Sequence, residues 1–228
     1  MKKVNILGGK MNKQKAQMIL EYMEVLFPNA ECELKHSNTL ELLIAVMLSA
    51  QTTDASVNKV TKQLFEKYKT VEDYANTTIA ELEKDLRSIG LYRNKAKNLH
   101  ALANMLLTKF DGVVPSDQKQ LESLPGVGHK TANVVRSVGF DIPAFAVDTH
   151  VDRISKRLGF ARKNDNITIV ERKLTASIPI EKWNKAHHQF IFFGRYFCKS
   201  QNPNCGQCKL ITICKEPKRK PYLPTNDN

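Results

Sequence analysis

LPGVGHK, Leu124–Lys130, continued by TANVV to Val135, is the stretch on which the reading of this chain turns. Pro125, Gly126 and Gly128 punctuate a turn between Leu121 and Leu124 on one side and Val134, Val135 and Val138 on the other, up to Gly139. Glycine reaches positive φ without steric cost and lets backbone N–H groups approach a phosphate oxygen. A helix opening at His129 adds the positive end of its dipole at the same place. Such a helix-hairpin-helix, with Gly126, Val127, Gly128 and His129 at its turn, would be a phosphate-binding device. A bare PGxG is more often the glycine C-cap of an ordinary αα-hairpin. Downstream, VDTHVDR (Val147–Arg153) puts Asp148 at the start of another helix, where aspartate is a good N-cap.

Outward from the hairpin the chain reads as helical almost throughout. Asn38 with Glu41 three residues on is a capping-box pattern, and Leu40–Ala50 behind it is nearly all apolar, as in a buried helix. Asp54 can cap the next helix, whose face is Val57, Val60 and Leu64. Thr78 with Glu81 opens another, with the stripe Ile79, Leu82, Leu86 and Ile89 and with Gly90 as its end. Leu99, Leu102, Leu106 and Phe110 mark a helix closed by Gly112, and Trp183, Ala186, Phe190 and Phe193 a last one. No stretch alternates convincingly with period two, so the expected fold class is all-α. Most of these stripes are core and carry no chemistry.

The chain has 228 residues, enough for one large core or two modest ones. Its 35 lysines and arginines outnumber 23 aspartates and glutamates, for a formal net charge of +12. That excess favours a polyanionic partner without separating DNA from RNA or an anionic membrane, and it also serves plain solubility. The longest strongly apolar stretch, Leu42–Leu48, is far too short to span a bilayer, so no membrane partner is expected. Met1–Lys10 opens with two lysines but lacks an adequate apolar region, and no signal peptide is read there.

Four of the five cysteines fall within Cys198–Cys214, spaced C-x6-C-x2-C-x5-C. This suggests metal ligation in a reducing cytosol rather than a disulfide framework. Thiolates suit either zinc or an iron–sulfur cluster. Four-cysteine zinc sites commonly use two short-spaced pairs, whereas here only Cys205 and Cys208 are so spaced. Cys32 stands alone and reads as a small buried hydrophobe.

LPGVGHKTANVV and VDTHV resemble the motifs of the helix-hairpin-helix DNA glycosylases, in particular the endonuclease III family. The resemblance extends over LSAQTTD (Leu48–Asp54), IGLYRNKA (Ile89–Ala96), GRYFC (Gly194–Cys198) and the cysteine cluster, hence over most of the chain in order. It implies that Lys130 attacks C1′ of a flipped-out damaged nucleotide, expels the base and forms a Schiff base, after which β-elimination of the 3′ phosphate nicks the strand. That chemistry needs a neutral amine, yet a lysine of pKa ~10.4 is less than ~0.1% neutral at pH 7. A helix N-terminus disfavours the ammonium by only ~0.3–1 kcal/mol, so desolvation around the bound nucleotide must supply much of the rest. The resemblance gives Asp148 a second duty beside capping, assisting the nucleophile and stabilising positive charge on the sugar as the base departs.

Flipping a base also leaves a gap to fill. By the same resemblance Gln51 enters it and Leu91 wedges against the opposite strand, although Leu91 is equally readable as the hydrophobic contact of a helix C-cap. His129 and His150 are expected as phosphate or structural partners, and Glu122 as shaping the pocket. Cys198, Cys205, Cys208 and Cys214 match the family's [4Fe–4S] motif, with Lys199 and Lys209 beside it either presenting charge to phosphate or merely solvated.

The expectation is therefore a two-lobed all-α protein with a helix-hairpin-helix motif and an iron–sulfur cluster loop. Residues 32–141 would form a helical barrel carrying the hairpin, and residues 1–31 with 142–228 a cluster-bearing lobe, the active site lying in the cleft between them. The implied activity is that of a monomeric, bifunctional DNA glycosylase and abasic-site lyase in the cytoplasm at the nucleoid. Its substrate would be double-stranded DNA carrying oxidised pyrimidines or abasic sites. The rivals are a monofunctional mismatch glycosylase of the same fold and a non-catalytic iron–sulfur DNA-binding protein. Lys130 argues against the first, since the adenine-specific relatives lack a lysine there, and no further recognition domain is expected after Cys214.

Overall fold

The computed structural model of the protein describes Met11 and residues 13–223. Residues 1–10, where no signal peptide was read, and both chain ends of the expected cluster-bearing lobe lie outside the described residues. Among the described residues there are eleven α-helices and no strand, so the all-α expectation holds. None of these helices is long and apolar enough to cross a membrane.

By packing, the chain divides into two units, Cys32–Ala146 and Met1–Glu31 with Val147–Asn228. The second division falls a little beyond Asp141, because Ala146 is fully buried in the core of the first unit. That unit holds α2 (Thr39–Leu48), α3 (Asp54–Lys67), α4 (Val71–Asn76), α5 (Ile79–Asp85), α6 (Tyr92–Phe110), α7 (Gln118–Ser123) and α8 (His129–Val134). Its centre is α2, in which every residue from Leu42 to Leu48 is buried. The surrounding helices turn Val57, Leu64, Leu82, Leu99, Leu102, Leu121 and Ala132 into the same core. Full burial of each such leucine or valine is worth ~1.5–3 kcal/mol, which is why α2 needs no polar face.

The helix starts follow side-chain chemistry. Asn38 caps α2 by accepting from Glu41 N at 2.9 Å, but the Glu41 carboxylate returns to Ser37, to its N at 2.6 Å and its Oγ at 2.8 Å, so the expected box closes one residue earlier. Thr78 caps α5 as expected. Thr53, rather than Asp54, caps α3; Asp54 is the first helical residue, where its charge faces the positive end of the dipole. Helix α5 also stops at Asp85, short of Gly90, because residues 86–91 turn the chain into α6. At the other end of α6, Asp111 and Gly112 both take positive φ and Gly112 N returns to Leu106 O, the expected closure.

The other unit contains α1 (Lys13–Leu26), α9 (Thr149–Leu158), α10 (Ile167–Ser177) and α11 (Trp183–Phe192). Tyr22, Phe160, Phe190 and Phe193 supply its aromatic core, with edge-to-face contacts of Tyr22 on Phe193 and of Phe160 on Phe190. Two α-helices run on into π-helical turns, α8 into Val135–Gly139 and α11 into Phe193–Phe197. Such turns accumulate at functional sites, and here one follows the hairpin and the other delivers Cys198.

Candidate active site

The hairpin is built from α7, Leu124–Gly128 and α8. Asp117 caps α7 by accepting from both Lys119 N and Gln120 N at 3.0 Å. Val127 N returns to Leu124 O at 3.1 Å, and the Val127 side chain is buried as the small core of the turn. The two glycines play different parts. Gly126 lies at φ +79, and a Cβ there would sit 3.0 Å from Asn98 Cβ and from Met47 Sδ. Gly128 has an extended backbone, φ −96 and ψ 176, and a Cβ there would meet nothing within 4 Å. Gly126 is thus required by the fold, whereas Gly128 leaves open space beside the first amides of α8. Lys130 is the second residue of α8 and its side chain is exposed.

Behind the turn lies a polar network. His129 Nδ1 meets Glu122 Oε1 at 2.7 Å, Gln118 Nε2 donates to the same oxygen at 2.5 Å, and Arg136 donates to Gln118 Oε1 at 3.1 Å. Hydrogen bonds from Gln118 and then His129 hold the Glu122 carboxyl below the usual carboxylate range. Glu122 therefore orients His129, next to Lys130 in the chain.

Gln51 and Leu91 share an uncommon backbone: their φ values are +53 and +60. For non-glycine residues this left-handed conformation costs on the order of 1–3 kcal/mol and persists only where surrounding structure enforces it. Leu91 stands at the N-cap of α6, not at a helix C-cap, and its side chain is 52% exposed. Gln51 is exposed as well. The two turns abut, since a Cβ on Gly90 would lie 3.8 Å from Gln51 O.

Asp148 caps α9, accepting from Val151 N at 2.8 Å, and is half-buried. Lys130 belongs to the Cys32–Ala146 unit and Asp148 to the other. Burial holds the His150 imidazole below its usual range; Asp148 opposes that, and Arg153 and Arg195 reinforce it. Gly194 is pressed against α9: a Cβ there would lie 3.0 Å from His150 Cβ. Arg153 exploits this approach, donating to Gly194 O at 2.7 Å and contacting His150 Nδ1 at 3.3 Å.

One turn further along α9, Arg157 reaches the cysteine segment. It donates to Cys198 Sγ at 3.2 Å and to Lys199 O at 2.8 Å, and its Nε pairs with Glu216 at 2.6 Å. Cys198, Cys205, Cys208 and Cys214 line one small cavity walled by Leu158, Phe193, Phe197 and Ile211. Burial pushes the thiols of Cys198, Cys208 and Cys214 up, Cys208 to about 12. Glu216 N donates to Cys214 Sγ at 3.4 Å. Among the described residues no three Cys, His, Asp or Glu side chains converge on a point fit for a single metal ion. Four cysteines around one small cavity, with N–H groups aimed at two of their sulfurs, are a donor set for a thiolate-ligated metal group. Lys199 and Lys209 are exposed beside it. Arg153, Arg157 and Glu216 were not singled out from the sequence. The available signal was the i, i+4 spacing of the two arginines on the helix that Asp148 starts.

Residues 44–179 match the HhH-GPD superfamily of base excision DNA repair proteins. Over 210 residues, 92% of this chain and 96% of the relative, the chain is 52% identical to endonuclease III of Bacillus subtilis (strain 168). The structure of a trapped endonuclease III–DNA covalent intermediate, an estranged-adenine complex, is 57% identical with a TM-score of 0.89, covering 92% of this chain and 98% of that one. A non-covalent endonuclease III–DNA complex is 56% identical with the same TM-score, covering 93% and 99%. On the strength of both its sequence and its fold, the chain belongs to the HhH-GPD superfamily of base excision DNA repair proteins and, within it, to the endonuclease III family.

Proposed function

We propose that this protein is a bifunctional DNA glycosylase and abasic-site lyase that removes oxidised pyrimidines from duplex DNA in base excision repair, as a monomer at the nucleoid. The observation that carries the reading is Lys130: an exposed primary amine on the first turn of the hairpin helix, in a chain that resembles a trapped covalent endonuclease III–DNA complex. The neutral amine attacks C1′ as the C1′–N bond breaks with its electron pair leaving on the base. The nitrogen then loses a proton and the C1′–O4′ bond opens, its electron pair and a proton going to O4′, to give the Schiff base. This acidifies the C2′ proton so that a base removes it and the 3′ phosphate leaves. Asp148, rigid in its cap, stabilises the positive charge that builds on the sugar. Borohydride trapping on abasic DNA tests the reading, since only a Schiff-base lyase leaves a reducible covalent adduct. A monofunctional glycosylase would excise without trapping, and a non-catalytic DNA-binding protein would do neither.

Gly126, Gly128 and His129 offer backbone N–H groups to a phosphate of the duplex, with Val127 closing and packing the turn that presents them, and the formal charge of +12 makes binding steeply salt-dependent. Gly126→Ala is expected to lower the melting temperature by several degrees, because it forces a Cβ into φ +79 and against Asn98 and Met47. Gly128→Ala should leave the melting temperature unchanged and weaken DNA binding about tenfold, because its Cβ fills the open space that a phosphate would approach. Thermal melts with DNA titrations of the two variants check this. Equal melting temperatures would show that the strain at Gly126 is absorbed elsewhere.

Cys198, Cys205, Cys208 and Cys214 would hold a [4Fe–4S] cluster. Arg157 and the Glu216 amide supply N–H donors to the sulfurs of Cys198 and Cys214, the support that cluster-bound thiolates would use. Such a cluster would tie residues 198–214 into one rigid loop rather than supply electrons, since base loss and β-elimination are polar steps. Purified protein is expected to be yellow-brown. Cys205→Ser should bleach it and give poorly folded protein, while Cys32→Ser, at a half-buried site outside the cavity, should be nearly silent. A colourless, fully active preparation with stoichiometric zinc would exclude the cluster and leave the glycosylase reading standing.

A further inference from the structure

Lys95, carried by the IGLYRNKA motif, takes no part in the chemistry above. It lies in the first turn of α6 yet is only 5% exposed. Burial pulls its ammonium below the usual lysine range, and the positive end of the α6 dipole adds to the cost. No carboxylate pairs with it among the described residues. Instead the ammonium donates to Thr52 Oγ1 at 2.6 Å, and the Thr52 hydroxyl in turn donates to Ala50 O at 3.4 Å. Thr52 N closes the turn on Ser49 O at 3.1 Å. Gln51, at φ +53, therefore sits between the two residues that this relay joins. At its other end Lys95 N bonds Leu91 O at 3.0 Å, and Leu91 is the second residue with strained backbone, at φ +60.

We infer that Lys95 is a positioning residue that braces the Gln51 turn against the Leu91 turn, holding both side chains in the left-handed backbone from which they enter the duplex. This rests on the reading of Gln51 and Leu91 as the residues that fill the gap of a flipped base. A buried cation satisfied only by a hydroxyl is a poor stabiliser. Its geometric effect is specific: it ties the two wedge-bearing turns to one another across 43 residues of sequence.

Lys95→Met keeps the aliphatic stem and removes the ammonium. Its melting temperature should not fall, while excision from a lesion-bearing duplex drops about 10- to 100-fold through kcat, the scale of loss for about an ångström of misplacement. Nicking of a single-stranded oligonucleotide carrying an abasic site, where no opposite strand exists to be wedged, should drop at least tenfold less. Thr52→Val should reproduce the loss and Thr52→Ser should not, and the Lys95→Met/Thr52→Val pair should lose no more than the worse single variant. A fall in melting temperature with equal loss of both activities would reduce Lys95 to a packing residue. Equal weakening on undamaged and lesion duplexes with a shallower salt slope would make it a phosphate contact. Either overturns the brace. Gln51→Ala and Leu91→Ala belong in the same panel. If they leave lesion-duplex excision intact, the gap-filling reading itself is wrong; if they impair it and Lys95→Met does not, the brace alone fails.

Discussion

Lys130→Gln should bind abasic-site duplex about as tightly as the parent while losing strand nicking and the borohydride-trapped adduct by ~10³-fold or more, the scale on which removal of a covalent nucleophile acts. The side chain is exposed at the start of α8, so glutamine removes no packing and no cap. Exposed substitutions of this kind stay within about 0.5 kcal/mol, and the melting temperature should barely move. The hairpin that would present amides to phosphate depends on Gly126 and Val127, which the substitution does not touch. Binding and chemistry should therefore separate cleanly. The exposure of Lys130 also bears on timing: with water around the amine in the unliganded protein, the desolvation that nucleophilic attack requires has to arrive with the nucleotide. Undiminished trapping in Lys130→Gln would show that another amine forms the Schiff base.

What the sequence revealed and what it hid divide along a physical line. The unbroken apolar run of α2, the apolar periodicity of α6 and α11 and the glycine at φ +79 in the hairpin were legible because one residue type answers one local demand. Even there, register slipped by a residue: Thr53 caps α3 although Asp54 is as good a cap, because the next residue back is equally capable and tertiary packing chooses between them. The strained backbones of Gln51 and Leu91 were not legible. Neither residue type favours φ near +55, and the contact that joins their turns pairs Thr52 with Lys95 across 43 residues of sequence. Arg153 and Arg157 were hidden for a similar reason. Their partners, Gly194 O and Cys198, lie some forty residues away, and a basic pair on a helix ordinarily reads as a solvated face. Long-range polar contacts carry little local signature.

Asp148→Asn is the second large effect. Asparagine caps a helix about as well as aspartate, and its Oδ1 can accept from Val151 N as the carboxylate does at 2.8 Å. What is lost in stability is the interaction of a full charge with the α9 dipole, ~0.3–1 kcal/mol, or a few degrees at most. Excision of a damaged base should nonetheless fall by ~10²–10³-fold, the cost of removing one preorganised electrostatic group from a developing charge. Nicking at a pre-formed abasic site should fall less, because there the base has already gone. Asp148→Ala supplies the contrast: it removes the cap as well and should cost about 1 kcal/mol more in stability with a similar loss of excision. Near-normal excision by Asp148→Asn, with Asp148→Ala losing stability, would leave the residue as a cap and nothing more. The two duties are compatible because a carboxylate held by a backbone N–H cannot rotate away as charge builds beside it, so the reorganisation that water would need at that moment is already complete.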